Sequence, residues 1–126
     1  MKLSVKNSIY QAIINNKWLE ISYINKSNEN TNYFIGIKDI DIEKGRIYCD
    51  IFNPFKNDET FDKKFNSFIY LEGIKKANIL EHTCYETPNE LTNKINGDKR
   101  IEELLEVVNF DNNILRYLSE CYRLDE

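Results

Sequence analysis

The sequence predicts an α+β domain: an N-terminal helix, a small, strongly bent antiparallel barrel of about five strands, and a helical C-terminal extension. Near the N-terminus, apolar side chains recur at helical spacing, at Val5, Ile9, Ala12 and Ile13. From Trp18 onward, apolar and polar residues alternate, which is typical of a half-buried strand. After Pro88 the spacing becomes helical again. A helix over residues 4–16 that leads almost directly into a strand therefore opens the domain.

Chain length and charge limit the architecture and the partners. The 126 residues are enough for one hydrophobic core, and we expect residues 1–87 to form the helix and barrel. Residues 88–126 form the extension, packed on the barrel or on a following domain. The net charge of −4 comes from this extension, since residues 1–87 carry 12 acidic and 12 basic side chains. The overall net charge thus does not indicate nucleic-acid binding, but it does not exclude a local basic patch on residues 1–87.

Several functional classes lack their sequence signals. There is no apolar run of membrane-spanning length, and the N-terminus lacks the apolar stretch of a signal peptide. Cys49, Cys84 and Cys121 are far apart and His82 is the only histidine, so neither a disulfide framework nor a zinc site is expected. No glycine-rich phosphate loop occurs, and we expect no cofactor. A cytoplasmic protein with reduced cysteines is predicted.

The middle of the chain predicts three strands joined by short turns. The first covers residues 17–24, and the polar residues 25–30 form a turn. A long strand starts at Thr31, and its apolar positions change parity around Lys38 and Asp39, which predicts a bulge or sharp bend. Residues 43–45 form a hairpin loop with Gly45 available for a left-handed conformation. The next strand covers residues 46–52.

Two further strands and the helical extension complete the prediction. After Pro54 and a polar loop to Lys64, residues 65–71 form a strand, residues 73–77 a tight turn or single helical turn, and residues 78–85 the last strand. Thr87 is expected to cap a helix with Pro88 at its first position. That helix carries Ile101, Leu104, Leu105 and Val108. Asp111 caps a final helix with an apolar stripe of Ile114, Leu118, Cys121 and Tyr122.

The order of these elements resembles the WYL domain, a small Sm-like barrel with a leading helix. Three segments carry the resemblance: IYQAIINNKWLEISY at residues 9–23, GRIYC at residues 45–49 and IYLEGIKKANIL at residues 69–80. Tyr48 matches the central tyrosine of the name-giving tripeptide, while Ile47 and Cys49 replace its tryptophan and leucine. Tyr70 and Gly73 stand where the family usually has arginines of its ligand surface. The resemblance implies recognition of nucleotides or single-stranded nucleic acid by an accessory module of helicases or nucleases.

The candidate binding surface combines aromatic rings with cations. Tyr48 and Tyr70 are the aromatic residues that we expect to be exposed, because their neighbours Ile47, Ile69 and Leu71 face inward. Aromatic rings can stack on unpaired bases, and basic pairs can hold phosphates. The predicted binding residues are Arg46, Tyr48, Lys63, Lys64, Tyr70, Lys75 and Lys76. The alternative is that the rings belong to the core and the lysines to an ordinary solvated surface.

No residue pattern supports catalysis or metal binding. His82 has no nucleophile or acid partner in the sequence. Asp39, Asp41, Glu43 and Asp50 lie along one hairpin, where outward polar residues are expected without any metal. We therefore predict a non-catalytic recognition module of a larger DNA- or RNA-processing protein such as a helicase, binding single-stranded nucleic acid or a nucleotide-type ligand. The alternative is a protein-interaction or assembly module without ligand, with the rest of a larger protein or a second copy as its partner.

Overall fold

A computed structural model describes residues 1–53 and 64–106 and confirms the α+β class. Within this part, helix α1 (Leu3–Ile14) precedes strands β1 (Trp18–Ile24), β2 (Asn30–Asp41), β3 (Arg46–Phe52) and β4 (Lys64–Tyr70). A 3₁₀ turn at Leu71–Gly73 leads into β5 (Ile74–Leu80), and helices α2 (Asn89–Gly97) and α3 (Lys99–Leu104) follow. The strands form one antiparallel sheet in the order β4-β3-β2-β1-β5.

The sheet is open, so the predicted strand barrel is a loose one that does not close. Its edge strands β4 and β5 do not pair with each other and are joined only by the 3₁₀ turn. Where the two edges approach, the Tyr70 backbone N–H donates to the hydroxyl of Tyr23 on β1 at 3.3 Å. The Tyr23 ring also lies against Gly73, where a Cβ atom would be only 2.3 Å from the ring. A side chain therefore bridges the opening at this point in place of strand pairing.

Helix α1 buries the predicted stripe of Val5, Ile9, Ala12 and Ile13 and packs against β5 and β1. Its C-terminus is a Schellman motif: the N–H of Lys17 donates to the carbonyl of Ala12 at 2.9 Å, and the N–H of Asn16 to that of Ile13 at 3.4 Å. Asn16 has a φ of 56°, in the left-handed region that asparagine tolerates better than most residues. This turn leaves two residues, Asn16 and Lys17, between the C-cap Asn15 and β1.

The bulge and hairpin predicted in the middle of the chain are present. The pairing of β2 with β3 shifts between Ile37 and Asp39, which is the position of the parity change. Gly45 in the following turn has a φ of 62°. The shift returns Ile40 to the inner face opposite Ile47, so both halves of β2 contribute buried side chains. The bulge thus keeps a long strand amphipathic on both sides of a bend.

One hydrophobic core lies between the inner face of the sheet and the helices. Its strand residues alternate with outward polar or aromatic ones, as in β3, where Ile47, Cys49 and Ile51 are buried. Helix α2, helix α3 and the C-cap residue of α3 add four buried side chains, namely Leu91, Ile95, Ile101 and Leu105. None of the helices in the described part of the chain is long and apolar enough to cross a membrane.

The segment after β5 crosses the outer face of the sheet. The N–H of Tyr85 donates to the carbonyl of Asn16 at 2.8 Å, and the indole N–H of Trp18 donates to the carbonyl of Cys84 at 3.2 Å. The Tyr85 ring lies directly over Gly36 of β2, and its hydroxyl donates to Asp50 of β3 at 2.8 Å. The segment is thereby fastened to three strands before α2 begins.

The second half of the chain departs from the prediction at β5, at the start of α2 and at Asp98, which divides the one helix predicted from Pro88 into α2 and α3. Strand β5 starts at Ile74 and ends at Leu80, so residues 74–77 are strand rather than turn, and residues 81–85 lie beyond it. Strand β5 begins at Ile74 because a shift in its pairing register with β1 places this buried residue opposite Tyr23.

The α2 N-terminus also differs, because Pro88 is the cap position and no side chain caps it. The Thr87 hydroxyl is buried and has no hydrogen-bond partner in the described part. Helix α3 ends at Leu104. The predictions for Pro54, Val108 and the final helix beginning at Asp111 lie outside the described residues.

Candidate functional site

Strands β3 and β4 place two pairs of side chains directly opposite each other on the outer face: Arg46 with Tyr70, and Tyr48 with Phe68. The N–H of Leu71 donates towards β3, to the Gly45 carbonyl at 3.0 Å, whereas the N–H of Tyr70 points away from β3. Because these directions alternate along a strand, both pairs occupy non-hydrogen-bonded positions, where opposing side chains are closest. The register of β3 with β4 therefore brings these four side chains close together on the outer face.

Arg46 connects the two pairs. Its guanidinium lies over the Phe68 ring, 3.7 Å from the centroid, and its Nε donates to Asp41 at 3.1 Å. Phe68 in turn contacts Tyr48, with ring centroids 4.9 Å apart. Desolvation acts to raise the pKa of Asp41, but hydrogen bonds from the Arg46 side chain and the Lys44 backbone, together with the charges of both residues, outweigh it. The pKa of Asp41 therefore lies below its ordinary value. Arg46 is thus fixed by a carboxylate on one side and an aromatic face on another.

Lys26, from the turn between β1 and β2, extends this arrangement. Its ammonium donates to the Tyr70 hydroxyl at 3.3 Å and lies 4.3 Å from the centroid of the Tyr70 ring. The hydrogen bond from Lys26 is the main reason that the pKa of Tyr70 is below its usual value, and Arg46 adds to the effect. We call the set Lys26, Arg46, Tyr48, Phe68 and Tyr70 the cation–aromatic face.

The structure brings three of the predicted residues, Arg46, Tyr48 and Tyr70, into this face. Tyr48 and Tyr70 are half-buried, so the expectation that they are the exposed rings is wrong. The exposed ring is Phe68, which retains 43% of its accessible surface. Tyr48 is partly covered by Phe68, and Tyr70 is partly covered by the cations Lys26 and Arg46. The face therefore offers one open aromatic surface with a cation on it.

Lys64 does not join the face. It pairs with Phe52 at the opposite end of β4 from Tyr70. Six residues of extended chain separate the two, which corresponds to about 20 Å. Lys63, the other member of this pair, lies outside the described residues.

The second lysine pair is split by the bulge between β1 and β5. Lys76 lies opposite Ser22 on β1, whereas Lys75 falls at the register shift. The ammonium of Lys75 donates to the carbonyl of Glu72 at 2.9 Å. Lys75 also lines an open cleft of about 290 Å³ together with Tyr70. Lys75 therefore lies beside the cation–aromatic face. Lys76 does not line that cleft and lies opposite Ser22 of β1.

The hairpin carboxylates are engaged individually and not gathered into a site. Asp39 pairs with Lys94 at 2.7 Å and Glu43 with Arg100 at 4.0 Å. Asp50 lies 3.3 Å from Lys38 and accepts the Tyr85 hydroxyl. Across residues 1–53 and 64–106, no group of three or more acidic, cysteine or histidine side chains is placed to hold a metal ion.

The remaining chemically notable side chains are isolated from the face. His82 is exposed in the turn after β5, not on a strand as the sequence suggested. Cys49 is buried on β3, and this burial raises the pKa of its thiol far above the ordinary value. Cys84 is exposed, and Cys121 lies outside the described residues.

Sequence reasoning missed Phe68 and Lys26. Phe68 precedes Tyr70 by two residues, so strand alternation alone places both on one face, and the signal was available. Lys26 sits in a polar turn with other hydrophilic residues, and only the fold shows that it reaches Tyr70.

Comparison with known proteins gives no relative to set beside this geometry. No protein-family model matches the chain, and no match was found among curated proteins or solved structures. The arguments for function therefore rest on the residues themselves.

Proposed function

We propose that this chain is a non-catalytic recognition module that binds single-stranded nucleic acid or a nucleotide-type ligand through the cation–aromatic face. The observation that carries the proposal is the exposed Phe68 ring with the Arg46 guanidinium stacked on it, beside a tyrosine that carries Lys26. Flat aromatic surfaces next to fixed cations are what unpaired bases joined by phosphates require. A base stacks on Phe68 while the phosphate lies towards the cations.

Phe68 is the expected centre of binding energy. Stacking of one base on an aromatic side chain contributes about 1–3 kcal/mol. Arg46 already satisfies Asp41, so it serves chiefly as a positioned planar cation that holds the ring and can stack in its own right. Lys26 has no carboxylate within ion-pair distance in the described part of the chain. Lys26, with Lys75 nearby, is therefore the expected phosphate contact.

The resemblance to WYL domains supplies the setting of the proposal. An accessory module of this kind would serve a larger cytoplasmic DNA- or RNA-processing protein such as a helicase. Its part would be to hold a single strand, while a different domain performs the chemistry.

Fluorescence anisotropy with labelled oligothymidylate of about a dozen nucleotides, at about 50 and about 200 mM salt, tests the proposal. We expect Phe68→Ala to weaken binding by about 5- to 150-fold, the equivalent of losing one stacked base. Phe68→Leu is the matched control for apolar contact without an aromatic face, and it should lose nearly as much.

Two lysine variants of identical charge change separate a local site from general attraction. Lys26→Gln should weaken binding and reduce the slope of log K against log salt by about 0.7, the value for one phosphate contact on a single strand. Lys64→Gln should change neither quantity appreciably, because Lys64 is at the far end of β4. Equal effects of both variants would indicate non-specific charge. Absence of binding at low salt together with a concentration-dependent dimer would favour the assembly alternative.

A further inference from the structure

The outer edge of β4 has no neighbouring strand in the described part of the chain. Backbone groups of alternate residues face that edge, beginning with Tyr70, whose N–H meets the Tyr23 hydroxyl. By the same alternation, the N–H and C=O groups of Asn66 and Phe68 also face away from β3. The Phe68 carbonyl accepts only a long hydrogen bond of 3.4 Å from the Ser67 hydroxyl. Side-chain hydroxyls thus substitute for a strand at two positions of this edge.

The two edges of the sheet are protected very differently. On β5, Lys75 and Lys76 are exposed near the start of the strand, and a register shift interrupts its pairing with β1. Ser8 of α1 also donates to the Ala77 carbonyl at 3.3 Å. These are common devices against strand addition. In contrast, β4 pairs with β3 through seven consecutive residues without a shift, and its only charged residue is Lys64 at its start. The β4 edge is thus the one suited to pairing.

A cleft of about 310 Å³ lies along this edge. One wall is β4, and the opposite wall is the turn at residues 25–27. Aromatic rings contribute much of the lining, namely Tyr23, Tyr33, Phe65, Phe68 and Tyr70. Because the turn at residues 25–27 lies beside this edge, we expect it to obstruct the edge of a second folded sheet more than a single extended segment. The exposed ammonium of Lys26 lies at the Tyr70 end of the cleft.

We propose that the β4 edge binds an extended peptide segment of a partner protein, which adds to the sheet as a sixth strand. Apolar side chains at alternate positions of the peptide fill the aromatic cleft, and an acidic residue faces Lys26. The backbone groups of Asn66 and Phe68 supply the new hydrogen bonds. This peptide site shares Lys26, Phe68 and Tyr70 with the cation–aromatic face. Its hydrogen bonds come from the backbone of the β4 edge, however, so the two proposals can be tested separately.

Selection of a random dodecapeptide library against the whole chain tests the site. We expect enriched peptides with apolar residues at every second position and an acidic residue towards one end. A synthetic copy of an enriched peptide is then measured by calorimetry against wild type, Asn66→Pro and Asn66→Ala. Proline removes the outward N–H but leaves the pairing with β3, and alanine retains the N–H as the matched control. Asn66→Pro should weaken the peptide by about tenfold and Asn66→Ala should leave its affinity nearly unchanged.

Backbone N-methylation of the peptide gives a second measurement that does not depend on folding of the proline variant. Methylation at alternate residues should abolish binding to wild type, whereas methylation at the intervening residues should be tolerated. Failure to enrich any peptide, equal affinities of the proline and alanine variants, or loss without alternation would each overturn the proposal. Self-association of the chain that Asn66→Pro abolishes would assign the edge to a second copy instead. Asn66→Pro should still bind oligothymidylate like wild type, so the peptide site and the cation–aromatic face can fail separately.

Discussion

Gly36 is the position where adding one methyl group should have the largest consequence for stability. A Cβ atom built there would lie 2.3, 2.4 and 2.7 Å from three atoms of the Tyr85 ring. Tyr85 is only 8% exposed, contacts Trp18 edge-on at a centroid distance of 5.1 Å and donates to Asp50. Gly36→Ala therefore displaces the whole ring. We expect a loss of about 2–4 kcal/mol in the free energy of unfolding, from overpacking and lost ring contacts.

A double-mutant cycle assigns this loss to the Tyr85 ring. Tyr85→Ala alone should cost about 3 kcal/mol, as for other large aromatic residues. Once the ring is gone, Gly36→Ala should cost less than about 0.5 kcal/mol, since alanine is slightly preferred to glycine within a strand. Urea unfolding with an unchanged m-value provides the measurement. If Gly36→Ala costs the same in both backgrounds, the contact between the ring and the backbone is not what requires glycine.

The remaining predictions concern helix ends and ionisation. Asn16→Ala should lower stability by about 1 kcal/mol because alanine is strained at positive φ, whereas the matched Asn15→Ala, at a φ of −93°, should have little effect in the same urea assay. Hydrogen bonds from Arg100, first from its side chain and then from its backbone, lower the pKa of Asp98, so its contribution to stability should disappear as the pH falls through the folded-state pKa, and Asp98→Asn should flatten this acid limb. Lys26→Gln should raise the pKa of Tyr70 towards its ordinary value, which NMR titration of labelled tyrosine can measure.

The dependence of the free energy of unfolding on alkaline pH gives a separate test of the environment of Tyr85. Burial raises the pKa of Tyr85, and its hydrogen bond to the Asp50 carboxylate raises it further. The folded protein therefore keeps a proton that the unfolded chain loses once the pH exceeds about 10, the ordinary pKa of a tyrosine side chain. Stability should fall as the pH rises beyond that point. Tyr85→Phe should remove this part of the alkaline loss, and an unchanged alkaline limb in that variant would contradict the assignment.

Elements with a strong local pattern could be predicted from the sequence. Helix α1 and strands β1 to β3 lie within one or two residues of their predicted bounds, because each has its own periodicity and a polar stop. The bulge near Lys38 was also visible, since a parity change has few other causes. Strand β5 was misplaced because its bounds depend on pairing with β1 across more than fifty residues. No local signal reports that Ile74 lies opposite Tyr23.

For the candidate site too, local sequence pattern predicted some features, and others depended on how the chain folds. Alternation along β3 and β4 identified Arg46, Tyr48 and Tyr70 as outward residues, and their register then brought them together. The degree of exposure could not be predicted, because it depends on which neighbours cover each ring. The lysine pairs were misleading for a similar reason. Adjacency in sequence says little about adjacency on a sheet, where a strand length of about 20 Å separates Lys64 from Tyr70.

The charge balance of the cation–aromatic face determines how binding should depend on salt. Arg46 is neutralised by Asp41 at 3.1 Å. Among the described residues at and beside this face, Lys26 and Lys75 are the cations that have no carboxylate partner, and they donate only to the Tyr70 hydroxyl and the Glu72 carbonyl. Two phosphate contacts on a single strand give a slope of about −1.4 in log K against log salt. Such a shallow slope means that stacking on Phe68 must carry much of the affinity, which is compatible with a chain of net charge −4. A measured slope steeper than about −3 would require more than four phosphate contacts and would move the nucleic-acid site away from this face.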